Sequence, residues 1–274
     1  MSIFHGMDQS ALDAAYNNTL AVIDSVRFLA DWSARSESLA RSSPQQLDLR
    51  YGNRPRNRID FFAAKRAHAP VLAFIHGGYW QMRAKETFRF VAEGPLAHGI
   101  SVALIGYTLA PDVTLAEIVD EVHSALTWLH MNVRQLEGDP TRLYASGWSA
   151  GGHLTAQCLG HPAVRGGLAI SGIFDLEPIR LSYLNAKLRL GERDVDALSP
   201  IRNLALGSAP LVLAYGSAEL PELQRQSCDY AAAREGAGLR TRLAPLTGHN
   251  HFSILEELAG ADGALTKLVL ELVQ

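Results

Sequence analysis

The spacing of apolar residues changes several times along the chain, and each change marks an element. Between residues 8 and 40 apolar positions recur every three or four residues (Leu12, Ala15, Leu20, Ile23, Val26, Leu29, Trp32), which predicts a helical N-terminal region with one buried face. "QLDLRYG" and "RIDFFAA" alternate with period two and are separated by an Arg/Pro/Asn-rich turn, so they read as an antiparallel pair. "PVLAFIHGG" is a continuous apolar run, the pattern of a strand buried on both faces. From there helix and strand alternate. A helical segment covers residues 85–98, and "ISVALIGY" is a buried strand. "LAEIVDEVHSALTWLHMNVRQL" is a long amphipathic helix that Gly138-Asp139-Pro140 is expected to stop. "RLYASG", "GGLAISG", "APLVLAYGS" and "RTRLAPL" are further strands. Helices are predicted after Ser149, over residues 222–236 and over residues 253–273.

This alternation predicts an α/β protein with a mostly parallel sheet covered by helices on both faces. Residues 173–208 interrupt it as a long insertion between two strands, and insertions of this size often wall a substrate pocket. The expectation is one domain over residues 1–274, with segments 1–40 and 173–208 forming a small cap. No internal repeat or low-complexity stretch is visible.

Composition narrows the class. The 274 residues are 47% hydrophobic and 19% charged, with a net charge of −3, which argues against nucleic acid or a membrane surface as partner. The basic run with Arg50, Arg54, Arg56 and Arg58 lacks interleaved aromatics and reads as a solvated hairpin loop. Two cysteines, Cys158 and Cys228, imply free thiols rather than a disulfide framework. The N-terminus lacks the apolar core of a signal peptide, and no apolar stretch is long enough to span a bilayer. A cytoplasmic enzyme acting on a small molecule is the expectation, and a homodimer stays open.

The chemistry centres on "ASGWSAGGHL". Gly147-Trp148-Ser149-Ala150-Gly151 has the G-x-S-x-G form, with a strand running in and a helix running out. That context suits a nucleophile elbow, whose serine backbone is strained and whose neighbours must be small. Serine needs a base to become nucleophilic. Two histidines lie in "LTGHNHFSIL", after the last predicted strand: His251 is favoured, with Phe252 packing beside it, and His249 is the runner-up. An H-x-H metal site would need further ligands, and no such cluster is apparent. The acid that orients the histidine is expected after "PLVLAYGS", where Glu219 is the choice and Glu222 the alternative. Asp175 follows the preceding strand and is expected to cap or brace the insertion. "FIHGGYWQ" ends a buried strand with glycines that let N–H groups face a developing oxyanion, joined by the N–H of Ala150. No P-loop or dinucleotide fingerprint occurs, so no cofactor is expected.

Taken together, "HGGYW", "GWSAGGHL" and "NHF" resemble the motifs of the kynurenine formamidase (arylformamidase) family of α/β-hydrolases. "AAYNN" and "LDLRYG" resemble its bacterial members, so the similarity runs along nearly the whole chain. The resemblance implies Ser149 as nucleophile, His251 as base and Glu219 as acid, with Gly78 and Tyr79 donating to the oxyanion. Many relatives carry Asp at the acid position, and Trp148 occupies a place often held by His. The implied substrate is an N-formyl arylamine such as N-formylkynurenine. A small-acyl carboxylesterase is the alternative, and a non-catalytic binding protein is disfavoured because all three triad positions are filled. Aromatic residues expected to line an aryl pocket are Tyr79, Trp80, Tyr183 and Phe252. Arg83, Arg180, Arg189 and Arg225 are open choices for a substrate carboxylate.

Overall fold

A computed structural model describes residues 2–42 and 46–274. Eight strands form one sheet: β1 (Gln46–Arg50), β2 (Arg58–Phe62), β3 (Ala69–Ile75), β4 (Ser101–Ile105), β5 (Gly138–Trp148), β6 (Val164–Ile170), β7 (Leu211–Gly216) and β8 (Thr241–Leu246). Their order is β1-β2-β4-β3-β5-β6-β7-β8. The pairs β1/β2 and β2/β4 are antiparallel, and every later pair is parallel. The continuous apolar runs fall where burial on both faces demands them: all residues of β3 and β4 are buried. The outer strands β1 and β8 are partly exposed, and Arg242 helps to blunt the β8 edge.

Successive residues of β3 feed opposite cores, as strand geometry requires. Val71, Ala73 and Ile75 pack with Ile118, Val122, Leu126 and Leu129 of helix Leu115–Asn132 and with Ile179 and Val195 of the insertion. Leu72 and Phe74 pack on the other side with Trp32, Phe88, Phe90, Leu265 and Val269. Helix Leu115–Asn132 begins at a capping box, in which Thr114 and Glu117 satisfy each other's backbone N–H groups.

Three boundary expectations need correction. The N-terminal helical region divides into Gln9–Ala15, Asn18–Ala21 and Ser25–Ser42. Asn17 accepts from the N–H of Leu20 and restarts the helix, and Val22 is extended, so the apolar series is not carried on one face. Leu12 and Trp32 are buried, whereas Leu20, Ile23 and Val26 are exposed. Gly138-Asp139-Pro140 does not stop the long helix but opens β5. The reversal occurs at Glu137 (φ 66°), and a Cβ on Gly138 would lie 2.5 Å from Val133 and 2.8 Å from Val71. The last predicted helix is broken into Ser253–Leu255, Glu256–Ala259 and Ala264–Val273. Gly263 sits where a Cβ would come within 2.1 Å of the Glu257 carbonyl.

The sheet places the chemistry. β3 and β5 are parallel neighbours with Ile75 opposite Gly147, and β4 and β5 lie on either side of β3. The chain direction of the crossovers therefore reverses there, the point in an open α/β sheet where a crevice forms at the carboxyl ends of the strands. The loops after β3, β5, β7 and β8 all leave from that edge.

Candidate active site

Ser149 follows β5 and precedes helix Ala150–Gln157, with φ 58° and ψ −118°. This is a conformation that non-glycine residues avoid. Its backbone N–H donates to the Ile170 carbonyl at 2.8 Å, which ties the turn to β6. The flanking glycines supply space rather than unusual dihedrals. A Cβ on Gly147 would lie 2.3 Å from the Gly151 carbonyl, and one on Gly151 would lie 2.0 Å from that of Ile75. The Ser149 side chain does not cap the helix it precedes, so its hydroxyl is not spent on the helix N-terminus.

Glu219 follows β7 and His251 follows β8, and the two are joined: Glu219 Oε2 lies 2.7 Å from His251 Nδ1. Glu219 Oε1 accepts from Ser171 Oγ and from the Gly216 N–H, each at 2.6 Å. A carboxylate so held takes its third donor from the imidazole Nδ1–H, which leaves Nε2 with a free lone pair. Trp148 Nε1 donates to the His251 carbonyl at 2.8 Å, and the two rings lie 4.8 Å apart. The residue beside the serine thus fixes the loop that carries the histidine. The alternatives face elsewhere. Glu222 accepts from Tyr16 Oη at 3.1 Å and pairs with Arg225, and His249 Nε2 lies 3.5 Å from Glu257. Asp175 accepts from the Glu177 N–H and lies 3.5 Å from Arg202, both within the insertion.

The loop after β3 is a tight turn with three consecutive positive φ values: Gly78 (114°), Tyr79 (49°) and Trp80 (58°). The Gly78 carbonyl accepts from the N–H groups of Gln81 and Met82, while among the described residues the Gly78 and Tyr79 N–H groups have no protein acceptor. The Ala150 N–H stands at a helix N-terminus, where first-turn donors are unpaired within the helix. Gly77 keeps these pieces close, because a Cβ there would lie 3.0 Å from that of Ser149. Beneath the turn, His76 stacks on Tyr107 at 4.3 Å and is pushed down to about 4 by burial, so it is neutral. The Tyr79 hydroxyl donates to the Tyr16 carbonyl at 2.6 Å and accepts from Asn18 Nδ2 at 2.9 Å. Burial holds that phenol well above its ordinary range, so it keeps its proton.

A cavity of about 510 Å³ opens beside the histidine, lined by Asn18, Ala21, Val22, Phe28, Glu219 and His251 among others. Tyr183 lines a neighbouring hollow with Leu20, Ala21 and Leu220. Three aromatic expectations are corrected. Trp80 is fully buried and meets His153 edge-on at 5.0 Å, and Phe252 stacks against Trp32 and Phe28 in the core. Tyr79 is likewise spent on the contacts to Tyr16 and Asn18. Arg180 pairs with Glu177, and Arg225 with Glu222 and Asp229, so neither guanidinium is open to a substrate. Arg83 is partly buried beside Gly78, and Arg189 is exposed at the end of a short helix. Sequence reasoning missed Ser171, Asn18 and Tyr16, because single polar residues in loops carry no periodic signal. Among the described residues no helix is long and apolar enough to cross a membrane.

The family model described as BD-FAE matches residues 59–161. The chain is 29% identical to a kynurenine formamidase of Danio rerio over 100% of this chain and 99% of that protein. It is 31% identical to a kynurenine formamidase of Salmo salar over 90% of this chain and 87% of that protein. The structure of a candidate thioesterase from Silicibacter sp. TM1040 superposes with a TM-score of 0.85 at 27% identity, covering 94% of this chain and 98% of that one. An esterase of Pyrobaculum calidifontis shares the fold, with a TM-score of 0.69 at 17% identity over 97% and 98% of the two chains. The fold is that of the α/β-hydrolases, the chain is a hydrolase, and by its full-length similarity it belongs to the kynurenine formamidase family.

Proposed function

We propose that the protein hydrolyses N-formyl arylamines of the N-formylkynurenine type to formate and the free amine. Ser149, His251 and Glu219 act as nucleophile, base and acid. The observation that carries this is the contact of His251 Nδ1 with Glu219 Oε2 at 2.7 Å, with Trp148, next to Ser149, bonded to the same histidine's carbonyl. Family membership supplies the substrate class.

In this reading Ser149 Oγ attacks the formyl carbon while His251 Nε2 takes its proton. The carbonyl oxygen becomes an alkoxide held by the N–H groups of Gly78, Tyr79 and Ala150. The C–N bond then breaks as His251 returns the proton to nitrogen, leaving a formyl-serine ester and the arylamine. Water, deprotonated by His251, attacks the ester and releases formate and Ser149. A formyl group needs little room on the acyl side, and the aryl group requires the larger, apolar side, for which the cavity with Ala21, Val22 and Phe28 is suited. Segments 1–40 and 173–208 together make the cap in this proposal. Gln9 Nε2 donates to the Leu181 carbonyl at 3.0 Å and the Tyr183 N–H donates to Asp13 Oδ1 at 2.8 Å, which supports their acting as one unit.

The test is hydrolysis of N-formylkynurenine beside p-nitrophenyl acetate by the wild type and by Ser149→Ala. Turnover of the formyl amide that the variant loses supports the proposal. Cleavage of the ester alone by the wild type would overturn the substrate and leave a small-acyl carboxylesterase.

A further inference from the structure

Asn18 is buried, 4% exposed, and its side-chain amide is oriented by its surroundings. The Tyr79 hydroxyl gives its proton to the Tyr16 carbonyl at 2.6 Å, so towards Asn18, at 2.9 Å, it can only accept. The nitrogen of the amide therefore faces Tyr79 and the oxygen faces away. That oxygen, Oδ1, is buried and has no hydrogen-bond partner among the described residues. A buried acceptor without a donor is destabilising, and a fold that fixes one in place invites a ligand to satisfy it. Asn18 lines the same cavity as His251 and Glu219.

We propose that Asn18 Oδ1 accepts the N–H of the amide being cleaved, which makes Asn18 a residue that selects amides over esters. This rests on the formamidase reading of the site. The leaving group must lie on the histidine side of the reacting carbon, because His251 hands it a proton. Asn18, which carries the unpaired and buried oxygen, lines the cavity that holds His251. An arylamide brings an N–H to that acceptor. An aryl ester of the same outline brings an oxygen, whose lone pairs would face those of Oδ1 and leave the acceptor unpaired. Sites built around a donor on the substrate discriminate strongly against analogues that lack it. The same amide group braces Tyr79, so one residue would join the turn that faces the oxyanion to recognition of the leaving amine.

The experiment compares formanilide and phenyl formate with the wild type, Asn18→Ala and Asn18→Leu. Both variants remove the acceptor, and leucine keeps roughly the volume, so packing loss and acceptor loss separate. Both variants also lose the Nδ2 donor to Tyr79, which should lower both rates alike, so the expected result is a fall of about tenfold or more in the ratio of kcat/KM for formanilide to that for phenyl formate. Residual ester turnover also shows that the variants are folded. Equal losses on both substrates would reduce Asn18 to a brace for the Tyr79 turn and overturn the proposal, as would an unchanged amide rate. If the wild type cleaves only the ester, the formamidase reading fails separately. Asn18 is then judged by formanilide as a competitive inhibitor of ester hydrolysis: weaker inhibition of the variants supports the contact, and an unchanged inhibition constant overturns it.

Discussion

Glu219 presents one oxygen to His251 Nδ1 at 2.7 Å and keeps the other between two donors, Ser171 Oγ and the Gly216 N–H, each at 2.6 Å. This arrangement makes Glu219→Gln a test of the tautomer rather than of charge alone. Both groups on the Oε1 side are donors, so the glutamine oxygen must take that place and its NH2 must face the imidazole. Nδ1 then becomes an acceptor, the proton moves to Nε2, and the imidazole can no longer take a proton from Ser149 as the proposed mechanism requires. The expected outcome is a loss in kcat of about 10³ to 10⁴ with little change in thermal stability. Ser171→Ala removes one donor and should cost about tenfold. Steady-state kinetics beside thermal melts check both.

Gly78 has φ 114°, and a Cβ there would lie 2.2 Å from the Met82 carbonyl. Gly78→Ala must therefore displace the turn whose N–H groups are proposed to hold the oxyanion. The expected loss in kcat is on the order of 10² or more, equal for amide and ester, since the alkoxide is common to both. A loss confined to one substrate would instead locate Gly78 in leaving-group recognition.

The order of elements was legible because the burial pattern of β3 and β4 leaves no other reading and because the serine turn sits between a strand and a helix. Glu219 and His251 were legible as candidates for the same reason: the carboxyl end of each strand is where a parallel sheet gathers its loops. What was not legible was direction within a turn. Phe252 follows His251 in sequence but packs against Trp32, and Trp80 follows Tyr79 but packs against His153. Proximity in sequence to a functional position does not put a side chain in the pocket. The N-terminal helix was read as one face because Asn17 acts as a cap only once Leu20 folds over it. Ser171, Asn18 and Tyr16 gain meaning only through partners 48, 61 and 63 residues away.

Trp148 links the serine turn to the histidine loop through its indole N–H. Trp148→Phe keeps an aromatic ring among Trp32, Phe88 and Phe252 but removes that donor from the His251 carbonyl. The expected outcome is a kcat lower by about tenfold with a nearly unchanged KM. Trp148→Ala removes the ring as well and should cost about 3–5 kcal/mol of stability. If the phenylalanine variant turns over at the wild-type rate, the indole only packs, and the histidine loop is held by its bond to Glu219.

The last prediction concerns acid. His76 and His153 are fully buried, and burial pushes each down to about 4. Among the described residues each has one ring nitrogen without a partner, His76 Nε2 and His153 Nδ1, so a second proton would have no acceptor there. An unfolded histidine titrates near 6.5, so between about 6.5 and 4 the unfolded chain binds protons that the folded chain refuses. The stabilising contribution is complete above about pH 6.5 and is lost as pH falls towards 4, by up to about 3 kcal/mol for each histidine. His153 Nε2 lies 2.8 Å from the Leu198 carbonyl, and glutamine can supply an N–H there without titrating. Urea melts of the wild type and of His153→Gln at pH 7.5 and 5.0 make the comparison. The loss of stability on acidification should be about 2 kcal/mol smaller in the variant. An identical loss would mean that His153 takes up its proton in the folded protein as readily as in the unfolded chain, and that acid sensitivity lies with other groups.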